Sequence, residues 1–156
     1  MGYIFRKDAI FGATLTVQEL LTALKNQAFD DDESDVTVNT DENYGVVSAI
    51  YFCKECNKLH IIANDYNDDN EPMFTETHII ELLNEVSNDT IAHNIVLSKK
   101  EVIEALEKVK DKSLGVTIET ILDGTTYTLT KVLKCDSECN VPHLHSSYEE
   151  NAFEAN

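Results

Sequence analysis

The sequence predicts an α+β fold built from an internally duplicated module, in which a helix is followed by an antiparallel β-hairpin. The segment Thr16 to Leu24, TVQELLTAL, resembles a later segment, Ser98 to Leu106, SKKEVIEAL. Cys53 and Cys135 are related by the same offset along the chain, and each of them opens a cysteine pair. A match that extends into segments without metal chemistry indicates an internal repeat. We expect the two copies to pack about a pseudo-two-fold axis.

Each copy begins with a helix that has a recognisable start. Thr16 with Glu19, and Ser98 with Glu101, fit the S/T-x-x-E capping box, in which side chains satisfy the free backbone groups of the first turn. Apolar residues then recur at helical spacing. The predicted helices are Thr16 to Phe29, Thr75 to Val86 as a link between the copies, and Lys99 to Lys112.

The segments after the capped helices are rich in Val, Ile and Thr, which is typical of strands. Asp123-Gly124 predicts a tight hairpin turn in the second copy. After the second cysteine pair we expect a polar tail and no strand. The predicted strands are Val36 to Asn39, Tyr44 to Cys53, Leu59 to Asn64, Ile91 to Leu97, Val116 to Leu122 and Thr125 to Cys135.

This pattern divides the chain into three segments. Residues 1–74 form the first copy, with a C-x-x-C turn and an acidic loop. Residues 75–145 hold the linking helix and the second copy, with a C-x-x-x-C turn. Residues 146–156 form an acidic tail, which we expect either to be disordered or to act as an apolar anchor through Tyr148 to Phe153.

The four cysteines predict a structural zinc site. In a reducing compartment, closely spaced thiols are more often metal ligands than disulfides. A pseudo-two-fold axis would bring equivalent residues together, so one tetrahedral Zn²⁺ shared between the copies is the favoured arrangement. Such a site has no open position for substrate, which favours a structural role. The predicted ligands are Cys53, Cys56, Cys135 and Cys139.

Two other uses of the cysteines stay open. One is a pair of separate sites, with His60 in the first copy and His143, helped by His145, in the second. The other is free or paired thiols without a metal.

Composition and charge exclude several classes of function. The chain of 156 residues has 12 basic and 29 acidic residues, a formal charge of −17. This charge repels nucleic acid and anionic membranes and favours partners with cationic surfaces. The sequence lacks a secretory signal pattern and an apolar run long enough to span a membrane, so we expect a cytosolic protein. Phosphate-binding, nucleophile-elbow and H-E-x-x-H motifs are also missing, so we expect no enzymatic activity.

The acidic residues are concentrated in two stretches. Residues 29–76 hold 13 acids against two lysines, and residues 135–156 hold five acids and no basic residue. Such a surface is a candidate mimic of the nucleic-acid backbone, whose charges lie about 1.7 Å apart along a duplex. The alternative is a solvated surface that serves only solubility, which is the usual role of acidic loops. The expected contacts with a partner are Asp30, Asp31, Asp32, Glu33, Asp35, Asp65, Asp68, Asp69 and Glu71.

One part of this acidic region also follows a metal-binding template. Asp65, Asn67, Asp69 and Glu76 stand at positions 1, 3, 5 and 12 of a calcium-binding EF-hand loop. The sixth position is not Gly and the preceding segment is predicted as a strand. A solvated acidic loop is therefore the favoured interpretation, with calcium binding as the alternative.

The stretches LTVQELLTALKNQ and DVTVNTDENYGVVSAI, residues 15–27 and 35–50, resemble the opening of many small phage-encoded proteins. In those proteins a capped T-V-x-E-L-L helix precedes a strand and a hairpin. The resemblance implies a phage or prophage origin and action inside a bacterium, and it transfers no catalytic residues.

The sequence therefore predicts a non-enzymatic, acidic, zinc-stabilised phage protein. It would bind and inhibit a host protein with a basic surface, such as a nucleic-acid enzyme or a defence component. The alternatives are a structural or accessory zinc module without inhibitory activity and, less favoured, a metal-dependent hydrolase. The sequence does not indicate an oligomeric state.

Overall fold

The computed structural model describes residues 4–6, 9–11, 14–25, 33–40, 44–86, 89–122, 124–134 and 141–148. Three helices and nine strands lie within these ranges, so the predicted α+β class is confirmed. The helices are α1 (Val17–Leu24), α2 (Glu76–Val86) and α3 (Lys99–Glu107). The strands are β1 (Ile4–Arg6), β2 (Ala9–Phe11), β3 (Thr37–Asn39), β4 (Tyr44–Cys53), β5 (Lys58–Asp65), β6 (Asp89–His93), β7 (Val116–Thr120), β8 (Thr126–Lys134) and β9 (Pro142–Tyr148).

Six of these strands close into a barrel, in the order β8-β7-β5-β4-β3-β9, because β9 pairs again with β8. The hairpin of β1 and β2 continues the sheet from β8, and β6 pairs with β4. We predicted antiparallel strands, and this is only partly right, since β5 pairs with β7 and β3 with β9 in parallel. Each parallel pair joins the two predicted copies, so the copies share one sheet.

The barrel interior and the two capped helices form the main hydrophobic core. Along β5, Leu59, Ile61 and Ala63 point into this core, and the residues between them point outward, as the two-residue period of a strand requires. A bulge between Val47 and Ala49 shifts the register in which β4 pairs with β5. A second, smaller cluster lies on the outer face of β4 and β5 under α2, formed by Ala49, Tyr51, Ile62, Ile79 and Leu83.

Both predicted capping boxes are present. The Thr16 hydroxyl accepts from the Glu19 N–H at 3.2 Å, and the Glu19 carboxylate accepts from the Thr16 N–H at 2.9 Å. Ser98 and Glu101 form the same pair of bonds at the start of α3. Helix α3 ends at Glu107, before the predicted end at Lys112.

The prediction of a polar tail after the second cysteine pair is wrong, because that part of the chain forms β9. This strand pairs with β8 on one side and with β3 on the other. Its sequence, PHLHSSY, contains one aliphatic residue and begins with proline, so it has no local strand pattern. The prediction of a strand from Ile91 to Leu97 is also displaced, since β6 covers Asp89–His93. None of the helices in the described part of the chain has the length and apolar character of a membrane-spanning helix.

Candidate metal centre

The first cysteine pair lies in the tight turn between β4 and β5. The Asn57 N–H donates to the Cys53 carbonyl at 2.9 Å, and the Cys56 N–H approaches the Cys53 Sγ at 3.4 Å. Asn57 has φ 56°, a left-handed conformation that asparagine tolerates better than most residues. The turn therefore places both sulfurs on the same side of the hairpin end.

His60 lies on β5, next to these two sulfur atoms. It is directly opposite Tyr51 on β4, and the two rings stack with centroids 4.9 Å apart. The His60 Nε2 lies 3.0 Å from the Cys56 Sγ. The candidate ligand atoms of Cys53, Cys56 and His60 all lie within 4.8 Å of one another, so the three residues could hold a metal ion. His60 is buried, whereas Cys56 is exposed.

The other ring nitrogen of His60 belongs to a buried polar network. Nδ1 lies 3.0 Å from the Glu119 Oε1, and the Tyr51 hydroxyl donates to the same oxygen at 2.6 Å. Burial alone would raise the pKa of Glu119, but the hydrogen bonds from His60 and Tyr51 outweigh it and lower that pKa. Burial and the Glu119 carboxylate raise the pKa of Tyr51, so this hydroxyl stays a donor.

The metal-free thiol of Cys56 is protonated at neutral pH. Partial burial and the neighbouring Cys53 raise the pKa of Cys56 to about 11, although the Lys58 N–H and its charge act in the opposite direction. A metal ion at the site must therefore displace this proton, because only the thiolate is a good ligand.

The structure thus brings together two of the four predicted ligands, Cys53 and Cys56. Cys135 and Cys139 lie outside the described residues, and the shared four-thiolate site stays a prediction. The sequence indicates His60 only as an alternative ligand, although it stands close after Cys56 in the chain. Sequence reasoning missed Glu119, which is distant from His60 along the chain and carries no local signal.

His143, the predicted counterpart of His60, lies on β9. Its Nδ1 is hydrogen-bonded to the Thr37 hydroxyl on β3. Burial, His143 and Lys131 lower the pKa of the neighbouring His145, so this side chain is neutral at pH 7. The described residues show no third potential ligand beside these two histidines.

The predicted contact acids are found in three situations. Glu33, Asp35, Asp68, Asp69 and Glu71 are exposed, whereas Asp30, Asp31 and Asp32 lie outside the described residues. The prediction that Asp65 contacts a partner is wrong, because this residue is only 4% exposed. Its carboxylate accepts from the Leu122 N–H at 3.3 Å, which makes it part of the scaffold.

The predicted contact acids in the loop after Asp65 lie away from the cysteine turn. In the ladder of β4 and β5, Gly45 pairs with Asp65 at one end and Cys53 with Lys58 at the other. At the usual rise of a strand, Gly45 and Cys53 are about 26 Å apart. The acidic loop after Asp65 therefore lies at the end of the hairpin far from the cysteines.

The same loop does not present its oxygens as an EF-hand does. The Asn67 Oδ1 accepts from the N–H groups of Asp69 and Glu71, which is a local turn. The Glu76 Oε2 lies 3.4 Å from the His93 Nδ1. The solvated-loop interpretation fits these bonds better than calcium binding does.

Comparison with known proteins adds no identity. No family model matches the chain, and neither the curated proteins nor the solved structures contain a match. The resemblance to phage proteins stays a prediction.

Proposed function

We propose that the protein is a non-enzymatic interaction protein whose barrel is stabilised by Zn²⁺ bound to Cys53, Cys56 and His60. The supporting observation is that the two ring nitrogens of His60 contact the Cys56 Sγ on one side and the Glu119 carboxylate on the other. Two thiolates and an imidazole suit zinc, which is borderline soft and accepts tetrahedral geometry without penalty. When bound, the ion would fix the end of the β4 and β5 hairpin.

The spacing of the ligand atoms fits a zinc ion after a small adjustment. Zn–S and Zn–N bonds of about 2.3 and 2.0 Å at a tetrahedral angle separate the two ligand atoms by about 3.5 Å. The Cys56 Sγ and His60 Nε2 are 3.0 Å apart, so they need to separate by about 0.5 Å. Cys56 is exposed and lies in a turn, where such a movement is easy.

A local three-residue site competes with the predicted four-thiolate site. Strand β8, which precedes Cys135, is separated from β4 by two strands on either side of the barrel. Six strands about 4.8 Å apart give a ring roughly 9 Å across before strand tilt widens it. The second pair would have to reach over the end of the barrel to join Cys53. A fourth ligand from water would leave an open position, which is what the hydrolase alternative requires.

We also propose that the barrel descends from a duplicated half. Bulges fall between Val47 and Ala49 and between Leu129 and Lys131, at positions related by the offset that joins Cys53 to Cys135. Strands β2 and β6 pair with β8 and β4 at positions related by the same offset. The Lys25 Nζ and Glu107 Oε2, which this offset also relates, form an ion pair of 2.9 Å, as residues near a two-fold axis would.

The interaction role rests on the end of the barrel opposite the cysteines. Asp68, Asp69 and Glu71 are exposed there, close to Tyr44, which is 45% exposed and packs at a tilt against the Tyr66 ring. The exposed Asp35 is near enough to Tyr66 for its charge to raise the pKa of that hydroxyl. Carboxylates next to aromatic rings suit lysine and arginine side chains. We propose that this end binds a basic host protein and competes with nucleic acid for it, in keeping with the predicted phage origin.

Native mass spectrometry of protein purified without added metal tests the zinc site. We expect one zinc per chain, lost together with thermal stability on chelation, and still present in a Cys135→Ser, Cys139→Ser double variant. Loss of zinc from that variant would instead support the shared site. No zinc in the wild type would refute the metal proposal.

A charge-reversal experiment tests the interaction role. We expect the variant with Asp68, Asp69 and Glu71 changed to Lys to lose competition with duplex DNA for basic nucleic-acid enzymes at low ionic strength. A matched control changes three exposed acids elsewhere, Glu81, Glu85 and Glu104, to Lys. Equal behaviour of the two variants would contradict a local acidic surface and leave only the effect of net charge.

A further inference from the structure

His60 of the proposed metal centre belongs to a buried hydrogen-bond network with Tyr51 and Glu119. Of these residues, Glu119 comes from a distant part of the chain. Glu119 lies on β7, whereas His60 lies on β5, and the two strands pair in parallel. Both side chains project from the outer face of the barrel, because their neighbours Ile61 and Ile118 point into the core. The contact therefore crosses the junction between the two predicted copies.

The hydrogen bonds specify which ring nitrogen of His60 carries the proton. The Tyr51 hydroxyl donates its only hydrogen to the Glu119 Oε1 at 2.6 Å. The His60 Nδ1 lies 3.0 Å from the same carboxylate oxygen and 3.1 Å from the Tyr51 oxygen. Since a carboxylate oxygen can only accept, Nδ1 must be the protonated nitrogen. The lone pair of the neutral ring is then on Nε2, which faces Cys56.

We infer that Glu119 is a positioning residue of the metal centre. It fixes the ring orientation and the Nδ1–H tautomer of His60, so that Nε2 is ready to bind the ion. Tyr51 assists by stacking on the ring and by holding the carboxylate. This inference rests on the proposed zinc site and deepens it, because it makes metal binding depend on the pairing of β5 with β7.

The arrangement also predicts a size for the effect. Hydrogen-bonding partners behind a metal-bound histidine typically change metal affinity by about 10- to 100-fold. Glu119→Ala removes the acceptor, so we expect a loss of Zn²⁺ affinity in this range. Glu119→Gln keeps a carbonyl acceptor and loses the charge, and we expect it to retain most of the affinity.

The experiment measures Zn²⁺ affinity by competition with a chromophoric chelator in the full chain. Glu107→Ala is the matched control, since Glu107 is an exposed glutamate in the ion pair with Lys25 and touches none of the metal ligands. We expect its affinity to equal that of the wild type. A second readout is the tautomer of His60, followed by ¹⁵N NMR of the imidazole nitrogens in metal-free protein.

The two readouts separate the inference from the proposed function. The expected result is an Nδ1–H tautomer in the wild type, a mixture of tautomers in Glu119→Ala, and the affinity loss in that variant only. Unchanged affinity and tautomer in a folded Glu119→Ala protein would overturn the positioning role while the zinc site stood. Failure of the wild type to bind zinc would overturn the proposed zinc site itself.

Discussion

Replacing Gly45 by alanine should destabilise the end of the barrel that carries the acidic loop after Asp65. The opposite end, with Cys53 and Cys56, should stay intact. A Cβ atom at position 45 would lie 2.3 Å from the Asn64 carbonyl oxygen and 2.9 Å from the Asp65 Cα. Both are backbone atoms of the paired strand, so the two strands must separate by about 1 Å to reach ordinary contact distance. No side-chain rotation can relieve this clash.

The cost can be estimated from overpacking and weakened hydrogen bonds. Overpacking costs about 1 to 3 kcal/mol, and one disturbed ladder bond adds about 1 kcal/mol. We therefore expect Gly45→Ala to lower the free energy of unfolding by about 3 kcal/mol. For a domain of this size that corresponds to a Tm lower by about 9 °C.

Urea unfolding followed by circular dichroism measures this loss. Gly115→Ala is the control, because its added Cβ meets only the Thr14 Cγ2 at 3.2 Å, and a side-chain methyl group can move away. We expect it to change stability by less than about 1 kcal/mol. Zinc stoichiometry should be unchanged in both variants. A Gly45→Ala protein as stable as the control would refute the close approach of β4 to β5, and a loss of zinc would refute the separation of the two ends.

Further predictions concern pH and the helix starts. Because the pKa of the Cys56 thiol is raised to about 11, zinc must displace the thiol proton when it binds. In competition titrations the zinc Kd should therefore rise about tenfold or more for each pH unit as the pH falls from about 8 to 6. A Kd that does not change with pH would argue against thiolate binding. The folded metal-free chain holds that proton more tightly than the unfolded chain, so its stability should fall as the pH rises from about 9 to about 11. Burial, Tyr44 and Asp35 raise the pKa of Tyr66 to about 12, so Asp35→Asn should lower it in an ultraviolet titration, whereas Asp68→Asn should do so less. Thr16→Ala and Ser98→Ala should each cost about 1 kcal/mol in urea unfolding, since each removes one capping bond; no cost for either would show that the box does not hold its helix.

The features that sequence reasoning predicted correctly are those set by nearby residues. The two capping boxes need only four consecutive positions each, and both are formed. The span of β4 was predicted to the residue, because Tyr44 to Cys53 is a long apolar run that ends at the cysteine turn. The hairpin of β7 and β8 is also present, although its turn is longer than the predicted Asp123-Gly124 pair.

The features that were missed depend on pairing between distant strands. Closure of the barrel requires β9 to lie between β8 and β3, and the polar sequence of β9 does not indicate this. In the candidate metal centre, Cys53 and Cys56 follow from their spacing, whereas Glu119 reaches His60 only because β5 and β7 pair in parallel. Burial of Asp65 is likewise set by its contact with Leu122 across the sheet.

X-ray absorption spectroscopy of the zinc-loaded protein at the metal edge tests the central claim most directly. A site formed by Cys53, Cys56 and His60 predicts two sulfur ligands at about 2.3 Å and the remaining ligands nitrogen or oxygen at about 2.0 Å, with imidazole scattering. Four sulfur ligands without imidazole scattering would contradict the local site and establish the four-thiolate arrangement in its place.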